Sequence, residues 1–187
     1  RSSSSATGYY PPDARGRTFD ESGPQGDAFL SDLCGEWEAS AVASGAPTAL
    51  LRTAPVVHRD GVLKPLLLLT RAGLSGPLGR GTQVWPWISL DDEIRAIRHV
   101  IDHGITGPVN LTGPERATAN DLGFALARRL NRPYLLRAPL WAIRLVLGKD
   151  AVDALLANDT HVVPAALLES GFTFRHPTVE DAVAAAV

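Results

Sequence analysis

The sequence contains no methionine and only one cysteine, Cys34, among its 187 residues. A single cysteine excludes an internal disulfide and a multi-cysteine metal centre, which suits a reducing compartment. No apolar run approaches the ~20 residues that cross a bilayer, and the polar first residues do not resemble a secretory leader. We therefore expect a cytoplasmic protein without a membrane partner. The missing methionine suggests a chain that is processed, truncated or incompletely recorded.

Basic charge is scarce as well. The chain has 18 lysines and arginines against 20 acidic residues, a net charge of -2, so it provides no positive field for a phosphate backbone. Nucleic acid is therefore not expected as a partner. Hydrophobic residues at 45% and charged residues at 20% are typical of a globular protein. The length allows one domain core, or a larger domain with a small appendage.

Short apolar runs alternate with amphipathic segments along the first two thirds of the chain. Ala49–Thr53, residues 83–89 and residues 108–112 have the composition of buried strands. Residues 62–72, 93–103 and 121–130 have helical patterns, with Asp91 and Asp92 at the start of the second and Thr118 or Asn120 before the third. An earlier helix, capped by Asp27, is predicted to bury one apolar face: Phe29, Leu30, Leu33, Cys34, Trp37 and Ala41. This alternation predicts an α/β sheet.

The pattern of predicted secondary structure changes near residue 133. Helical patterns occupy residues 139–147, 150–157, 164–169 and 178–186, and no long strand pattern separates them. We interpret residues 133–187 as a small, mainly helical C-terminal subdomain that packs on the sheet formed by residues 1–132.

Seven segments in order resemble one branch of the extended short-chain dehydrogenases/reductases, the NAD-dependent epimerase/dehydratase-like proteins labelled nucleoside-diphosphate-sugar epimerases. They are Ser5-Ala6-Thr7-Gly8-Tyr9-Tyr10, the helix from Phe29 to Glu38, Leu50-Leu51-Arg52-Thr53, Gly76-Pro77-Leu78-Gly79-Arg80-Gly81, Trp87-Ile88-Ser89-Leu90-Asp91-Asp92, residues 107–115 and residues 167–178. The resemblance covers nearly the whole chain. It implies the second half of a doubly wound, Rossmann-like parallel sheet with a small C-terminal domain.

The resemblance also implies a function. It indicates an NAD- or NADP-dependent oxidoreductase of the epimerase/dehydratase type acting on a small molecule, with the glycine-rich half that binds most of the cofactor absent from this chain. Two alternatives stay open. The chain is a truncated relative that binds a small molecule or catalyses a non-redox reaction, or it completes its sheet as a homo-oligomer or with a separate complementing chain.

Two motifs of the family are altered here. The family uses a Tyr-x-x-x-Lys pair on the first helix, and the matching positions are Leu30 and Cys34, neither of which can supply the proton. Nucleotide-sugar enzymes of the family often hold the diphosphate with an arginine at the position of Trp85. An indole cannot make that bidentate contact, so a flat apolar or aromatic substrate is favoured over a sugar nucleotide.

The candidate site residues follow from these matches. Ser5, Thr7 and Tyr9 are the predicted catalytic residues, with Tyr9 as the substitute proton donor. Ala54, Pro55 and Val56 are the predicted cofactor-binding segment. The predicted substrate-binding residues are Tyr10, His58, Trp85 and Trp87. No metal site is expected, because the helical pair His99 and His103 has no third ligand in view.

Structural roles compete with several of these interpretations. The serines can form a polar tail, Tyr9 and Tyr10 can pack a loop, and His58 can be a solvated loop histidine. Cys34 fits an inert core thiol, since no basic residue is placed to activate it. Arg52, if it lies in a buried strand, needs a carboxylate partner.

Overall fold

The computed structural model describes residues 1–12, 16–43, 45–135 and 159–187, and its centre is a three-stranded parallel sheet. Its strands are β1 (Ser2–Ala6), β3 (Ala49–Thr53) and β6 (Gly107–Leu111), with β3 in the middle. Ser5, Arg52 and Asn110 share one register position across the three strands. This confirms the predicted parallel α/β sheet, and the serine run is a strand of that sheet rather than a polar tail.

Two short parallel ladders flank the central sheet. One joins β2 (Thr18–Phe19) to β7 (His161–Val162), and the other joins β4 (Val56–Val57) to β5 (Ile88–Ser89). The strand predicted over residues 83–89 is therefore wrong in length. Only its last two residues form a ladder, and Val84 makes an isolated bridge to Thr118.

Six helices are described. They are α1 (Phe29–Val42), α2 (Leu63–Arg71), α3 (Leu90–Asp102), α4 (Ala119–Arg129), α5 (Ala165–Glu169) and α6 (Val179–Ala186). Capping fixes where three of them begin, because the side chains of Ser89, Thr118 and Thr178 each accept a hydrogen bond from a backbone N–H in the first turn. Thr118 also forms a capping box with Asp121.

Helix α1 corrects the sequence interpretation at two points. Its N-cap is Ala28, whose side chain cannot cap, rather than Asp27. It packs on the sheet through Ser31, Cys34 and Glu38, whereas three of the six residues of the predicted apolar face are open to solvent. Phe29 is 83% exposed and Trp37 is 50% exposed.

The C-terminal residues pack against the elements that precede them. Helix α6 contacts α4, and Val179, Ala182 and Val183 join the apolar cluster formed by α2, α4 and the two buried tryptophans, Trp85 and Trp87. Leu167 and Phe172 join a second cluster between the sheet and α3. Helices predicted at 164–169 and 178–186 are confirmed by α5 and α6. The helices predicted at 139–147 and 150–157 lie outside the described residues, and the domain boundary at residue 133 stays a prediction.

None of the helices in the described ranges has the length and apolar character of a membrane span.

Candidate functional site

The carboxyl ends of β1, β3 and β6 lie together at one edge of the central sheet, because all three strands are parallel. In open α/β sheets this edge is where ligands bind. The register places Ala6 beside Thr53 and Thr53 beside Leu111. The predicted catalytic segment after β1 and the predicted cofactor segment after β3 are therefore neighbours.

Ser5 is buried near the end of β1, and its hydroxyl has no hydrogen-bond partner among the residues that the structure describes. A buried hydroxyl without a partner is costly, so such a group points to a role outside the fold itself. Ser5 projects from the same face of the sheet as Arg52, its register neighbour.

A 3-10 turn, Thr7–Tyr9, follows β1 and holds the start of α1 against the sheet. The Ser31 hydroxyl donates a hydrogen bond of 2.8 Å to the Gly8 carbonyl oxygen. Gly8 packs so tightly on Leu30 that an added Cβ would lie 2.5 Å from its Cδ2 atom. Leu30 thus contacts the turn that carries the predicted catalytic residues. Cys34, four residues further along α1, is fully buried, and Thr7 is buried as well.

Arg52 is the centre of a buried polar network on this face. Its guanidinium donates to both carboxylate oxygens of Glu38, at 2.9 and 2.8 Å, and to the hydroxyl of Tyr10 at 2.9 Å. The expected carboxylate partner of Arg52 is therefore Glu38. A paired arrangement of this kind is the one that makes a buried arginine tolerable.

The two tyrosines use this network differently. The Tyr10 hydroxyl donates to the Asn110 side-chain oxygen at 2.7 Å, and the ring is 2% exposed. Burial raises the pKa of Tyr10, an effect that the neighbouring Arg52 partly offsets, so its phenol stays protonated. Tyr9 is half-buried, and its ring face lies 3.5 Å from the Arg52 guanidinium carbon. Of the two, Tyr9 is the phenol with a partly exposed side chain.

The predicted cofactor segment leads from the central sheet into the β4–β5 ladder. The Ala54 N–H donates to the Leu111 carbonyl oxygen at 3.0 Å, and the Pro55 carbonyl oxygen accepts from Ile88 N–H at 3.2 Å. Proline has no N–H. This segment therefore offers a ligand the surfaces of Pro55 and Val56 more than hydrogen bonds from its backbone.

Glu93 is a residue that the sequence analysis missed. It lies in the first turn of α3 and accepts a hydrogen bond of 3.0 Å from Thr53 at the end of β3. Its other carboxylate oxygen is buried and has no partner among the described residues. Burial, opposed only by the Thr53 hydrogen bond, raises the pKa of Glu93 to about 7. The sequence signal was its place after Asp91 and Asp92, where three acids in a row indicate only a favourable helix start.

The four predicted substrate-binding residues are not brought into one pocket. Tyr10 packs with Tyr9, Phe19 and Val162, whereas Trp85 and Trp87 belong to the cluster of α2, α4 and α6. The Trp87 indole N–H donates to the Glu115 carbonyl oxygen at 3.1 Å, and that of Trp85 is buried without a partner in the described ranges. His58 follows β4 with its side chain 32% exposed. The binding roles of these residues stay predictions.

Histidines, cysteine and carboxylates do not gather into a metal site within the part of the chain that the structure describes. The rings of His99, on α3, and His103, at its C-cap, are 3.9 Å apart, and His99 hydrogen-bonds to Ser170.

Comparisons with known proteins agree with this fold. The profile of a domain of unknown function (DUF1731) matches residues 138–186. An epimerase family protein of Mycobacterium leprae is 39% identical over 184 residues, which are 96% of this chain and 59% of that protein. The human epimerase family protein SDR39U1 (isoform 2), crystallised with NADPH, has a TM-score of 0.87 and 27% identity, and the match covers 99% of this chain and 64% of that one.

A more distant structure shares the fold alone. The UDP-glucose 4-epimerase of Thermus thermophilus, solved in complex with NAD, has a TM-score of 0.73 at 16% identity, and the match covers 99% of this chain and 61% of that one. The chain thus spans about three-fifths of the length of the relatives it matches. Over that part of their length it is similar to the epimerase family proteins, and it has their Rossmann-like α/β fold.

Proposed function

We propose that this chain forms the substrate-facing part of an NAD(P)-dependent oxidoreductase of the epimerase/dehydratase type, which acts on a small molecule. The observation that carries the proposal is the buried hydroxyl of Ser5, which has no hydrogen-bond partner among the described residues and lies at the carboxyl edge of the sheet, beside the segment that leads into Ala54. The relatives' remaining length, which this chain does not span, would hold most of the dinucleotide. The cytoplasm is the compartment that we propose for it.

In this proposal the nicotinamide supplies hydride transfer, and the residues of this chain handle the oxygen and the proton. Ser5 would donate a hydrogen bond to the substrate oxygen, with buried Thr7 supporting the turn that follows. Tyr9 would exchange the proton, since Leu30 and Cys34 occupy the positions of the family's tyrosine and lysine and neither can. Pro55 and Val56 would contact the nicotinamide ring through their surfaces. Of the predicted substrate-binding residues, His58 has the side chain that is most exposed to a ligand.

Titration with NADPH and NADH, followed by nicotinamide fluorescence, tests the proposal. We expect the longest product of the gene to bind one of them and this chain alone to bind neither tightly. Ser5→Ala and Tyr9→Phe should lower kcat without changing cofactor affinity once a substrate is found. Ser4→Ala, on the exposed opposite side of the same strand, is the matched control. Tight binding of NADPH or NADH to this chain alone would overturn the assignment of the cofactor site. If neither this chain nor the longest product of the gene binds NADPH or NADH, the nicotinamide dependence is overturned.

A second candidate function is assembly with another polypeptide that completes the sheet. Two observations favour it. One edge of β1 has no strand partner in the described ranges, and unpaired strand edges recruit partners. Next to it, α1 exposes Phe29, Leu30 and Trp37, a surface that isolated domains seldom leave uncovered.

Size-exclusion chromatography with light scattering over a range of concentrations tests this assembly. We expect this chain to self-associate or to bind the complementary part of a relative, and Trp37→Lys to weaken either association. Lys64→Glu, on the exposed side of α2 and away from β1, is the control. A strict monomer that binds no complementary part would contradict the assembly.

A further inference from the structure

A cavity of about 270 Å³ lies at the carboxyl ends of the β4–β5 ladder, apart from the edge of the central sheet. Helices α3 and α6 form its walls. Six of its ten lining residues are apolar, namely Val57, Leu90, Ile94 and three alanines of α6, and the polar ones are His58, Ser89, Asp91 and His176. The volume is slightly below the ~300–1,000 Å³ typical of sites for drug-sized ligands, so an occupant must be small.

Hydrogen bonds fix the proton positions on both imidazoles. The Nδ1 atom of His58 accepts from the backbone N–H of Asp60 at 3.3 Å. A neutral imidazole that accepts at Nδ1 carries its proton on Nε2. His58 therefore presents an N–H donor.

The donor and acceptor nitrogens of His176 are the reverse of those of His58. The Ser89 hydroxyl donates its one proton to the Asp92 carboxylate at 3.2 Å, and its oxygen lies 3.0 Å from His176 Nδ1. That nitrogen must donate to Ser89, which leaves a lone pair on Nε2 in the neutral ring. No hydrogen-bond partner occupies either Nε2 atom among the described residues.

The charged groups around the cavity are already paired. Asp91 forms an ion pair of 2.9 Å with Arg175, and Asp60 lies 3.8 Å from Arg59. Asp92 is held by Arg95 and by the backbone N–H groups of residues 175 and 176. Among the residues that the structure describes, neither an anion nor a cation would find an unpaired counter-charge here. Leu90 and Ile94, which are 40% and 60% exposed, instead leave apolar surface at the mouth.

We propose that this cavity is a binding site for a small, uncharged molecule with an apolar body and a hydroxyl group, held by the donor of His58 and the acceptor of His176. A hydroxyl both accepts and donates, and so it matches the two imidazoles. A phosphorylated or carboxylate ligand does not match, because the arginines at the rim are engaged. The cavity shares His58 with the predicted substrate contacts of the proposed redox function but includes neither Ser5 nor Tyr9, and its test needs no cofactor.

Benzyl alcohol is the probe, with benzoate and benzylamine as charged counterparts of similar size. The readout is the ¹⁵N chemical shift of the histidine ring nitrogens in the full chain. We expect benzyl alcohol to move the Nε2 signals of His58 and His176 along one saturable curve, with a dissociation constant on the order of millimolar, as suits a fragment. The two charged probes should bind at least tenfold more weakly.

Steric variants separate this cavity from non-specific binding. Ala185 lines the cavity, whereas the adjacent exposed Ala184 on α6 does not. Ala185→Phe should abolish the shifts, Ala184→Phe should leave them unchanged, and His58→Ala should weaken binding about tenfold. Equal binding by both phenylalanine variants, or preferred binding of benzoate or benzylamine, would overturn the proposal. Absence of any saturable shift in the unaltered chain, with the fold intact in the same spectra, would do the same.

Discussion

Two buried glutamates on opposite faces of the central sheet are stabilised in different ways. Glu38 reaches the sheet from α1 and accepts two hydrogen bonds from Arg52. Glu93 reaches it from α3 and accepts one hydrogen bond, from Thr53, while its second oxygen has no partner in the part of the chain described. The α1 face therefore buries a charge pair inside a closed network. The α3 face leaves one carboxyl that holds a proton near neutral pH, because burial raises its pKa to about 7.

The alternation of side chains along β3 produces this difference. Leu51 and Arg52 are consecutive and project to opposite faces. Leu51 packs with the apolar cluster of α3 and α5, and Arg52 joins the polar row that includes Ser5 and Asn110. The packing of the α3 face thus depends on side-chain volume, and that of the α1 face depends on hydrogen-bond partners. The stability of the two faces should therefore respond differently to substitution.

The largest expected effect is on the α1 face. Glu38→Gln should lower the free energy of unfolding by about 4 kcal/mol, because the Arg52 charge is left buried without a counter-charge. Urea denaturation followed by circular dichroism measures it. The double variant Glu38→Leu, Arg52→Met should lose less than Glu38→Gln alone, since it removes both charges together. A single variant that is no less stable than the double one would show that the pair is not isolated from water.

On the α3 face, Leu111→Ala should cost roughly 3–4 kcal/mol, because it leaves a cavity beneath a fully buried side chain. Leu111→Met, which nearly conserves volume, should cost less than about 1.5 kcal/mol. The same denaturation experiment applies, with exposed Leu168→Ala as the control, expected within about 0.5 kcal/mol. A loss for Leu111→Met as large as that for Leu111→Ala would contradict a face specified by volume.

The third prediction concerns the pH dependence that Glu93 confers. Its folded-state pKa rises from 4.5 to about 7, so the folded state binds a proton that the unfolded state releases between these values. The protonated Glu93 contributes roughly 3 kcal/mol to the free energy of unfolding. This contribution is fully present below about pH 4.5 and is lost as the pH rises through 7. Urea midpoints at a series of pH values measure it.

Glu93→Gln should remove this pH dependence, because the amide is neutral throughout. The exposed Glu169→Gln is the matched control and should retain it. If the free energy of unfolding of Glu93→Gln still falls between pH 5 and 7 as it does in the unaltered chain, and the two proteins are equally stable at pH 8, the pH dependence does not come from Glu93.

Local patterns in the sequence predicted the sheet but not its polar network. Ala49–Thr53 and the strand near 108–112 followed from composition, since a buried parallel strand needs a continuous apolar run. Helical spacing also found the apolar face of α1, yet spacing cannot say which face meets the sheet. The need of Arg52 for a carboxylate turns Glu38 inward, and Phe29 and Trp37 outward.

The candidate site was predictable only where it follows strand ends. Ser5 and Ala54 were identified from the family resemblance, and the segments that carry it lie at the carboxyl ends of two parallel strands. The burial of Glu93 involves a contact between residues 40 positions apart, and His58 and His176 line one cavity although they are more than 100 positions apart. Such contacts leave no periodic signal in the sequence.

The smallest expected effect compares two adjacent phenols on the α1 face. The Tyr10 hydroxyl joins Arg52 to Asn110, so Tyr10→Phe leaves an unpaired donor on Arg52 and an unpaired acceptor on Asn110, and we expect a loss of about 1–2 kcal/mol. Tyr9 contacts Arg52 through its ring face, which phenylalanine keeps. Tyr9→Phe should therefore change the free energy of unfolding by less than about 0.5 kcal/mol. Equal losses for the two variants in urea denaturation would mean that the aromatic rings, and not the Tyr10 hydrogen bonds, stabilise this face.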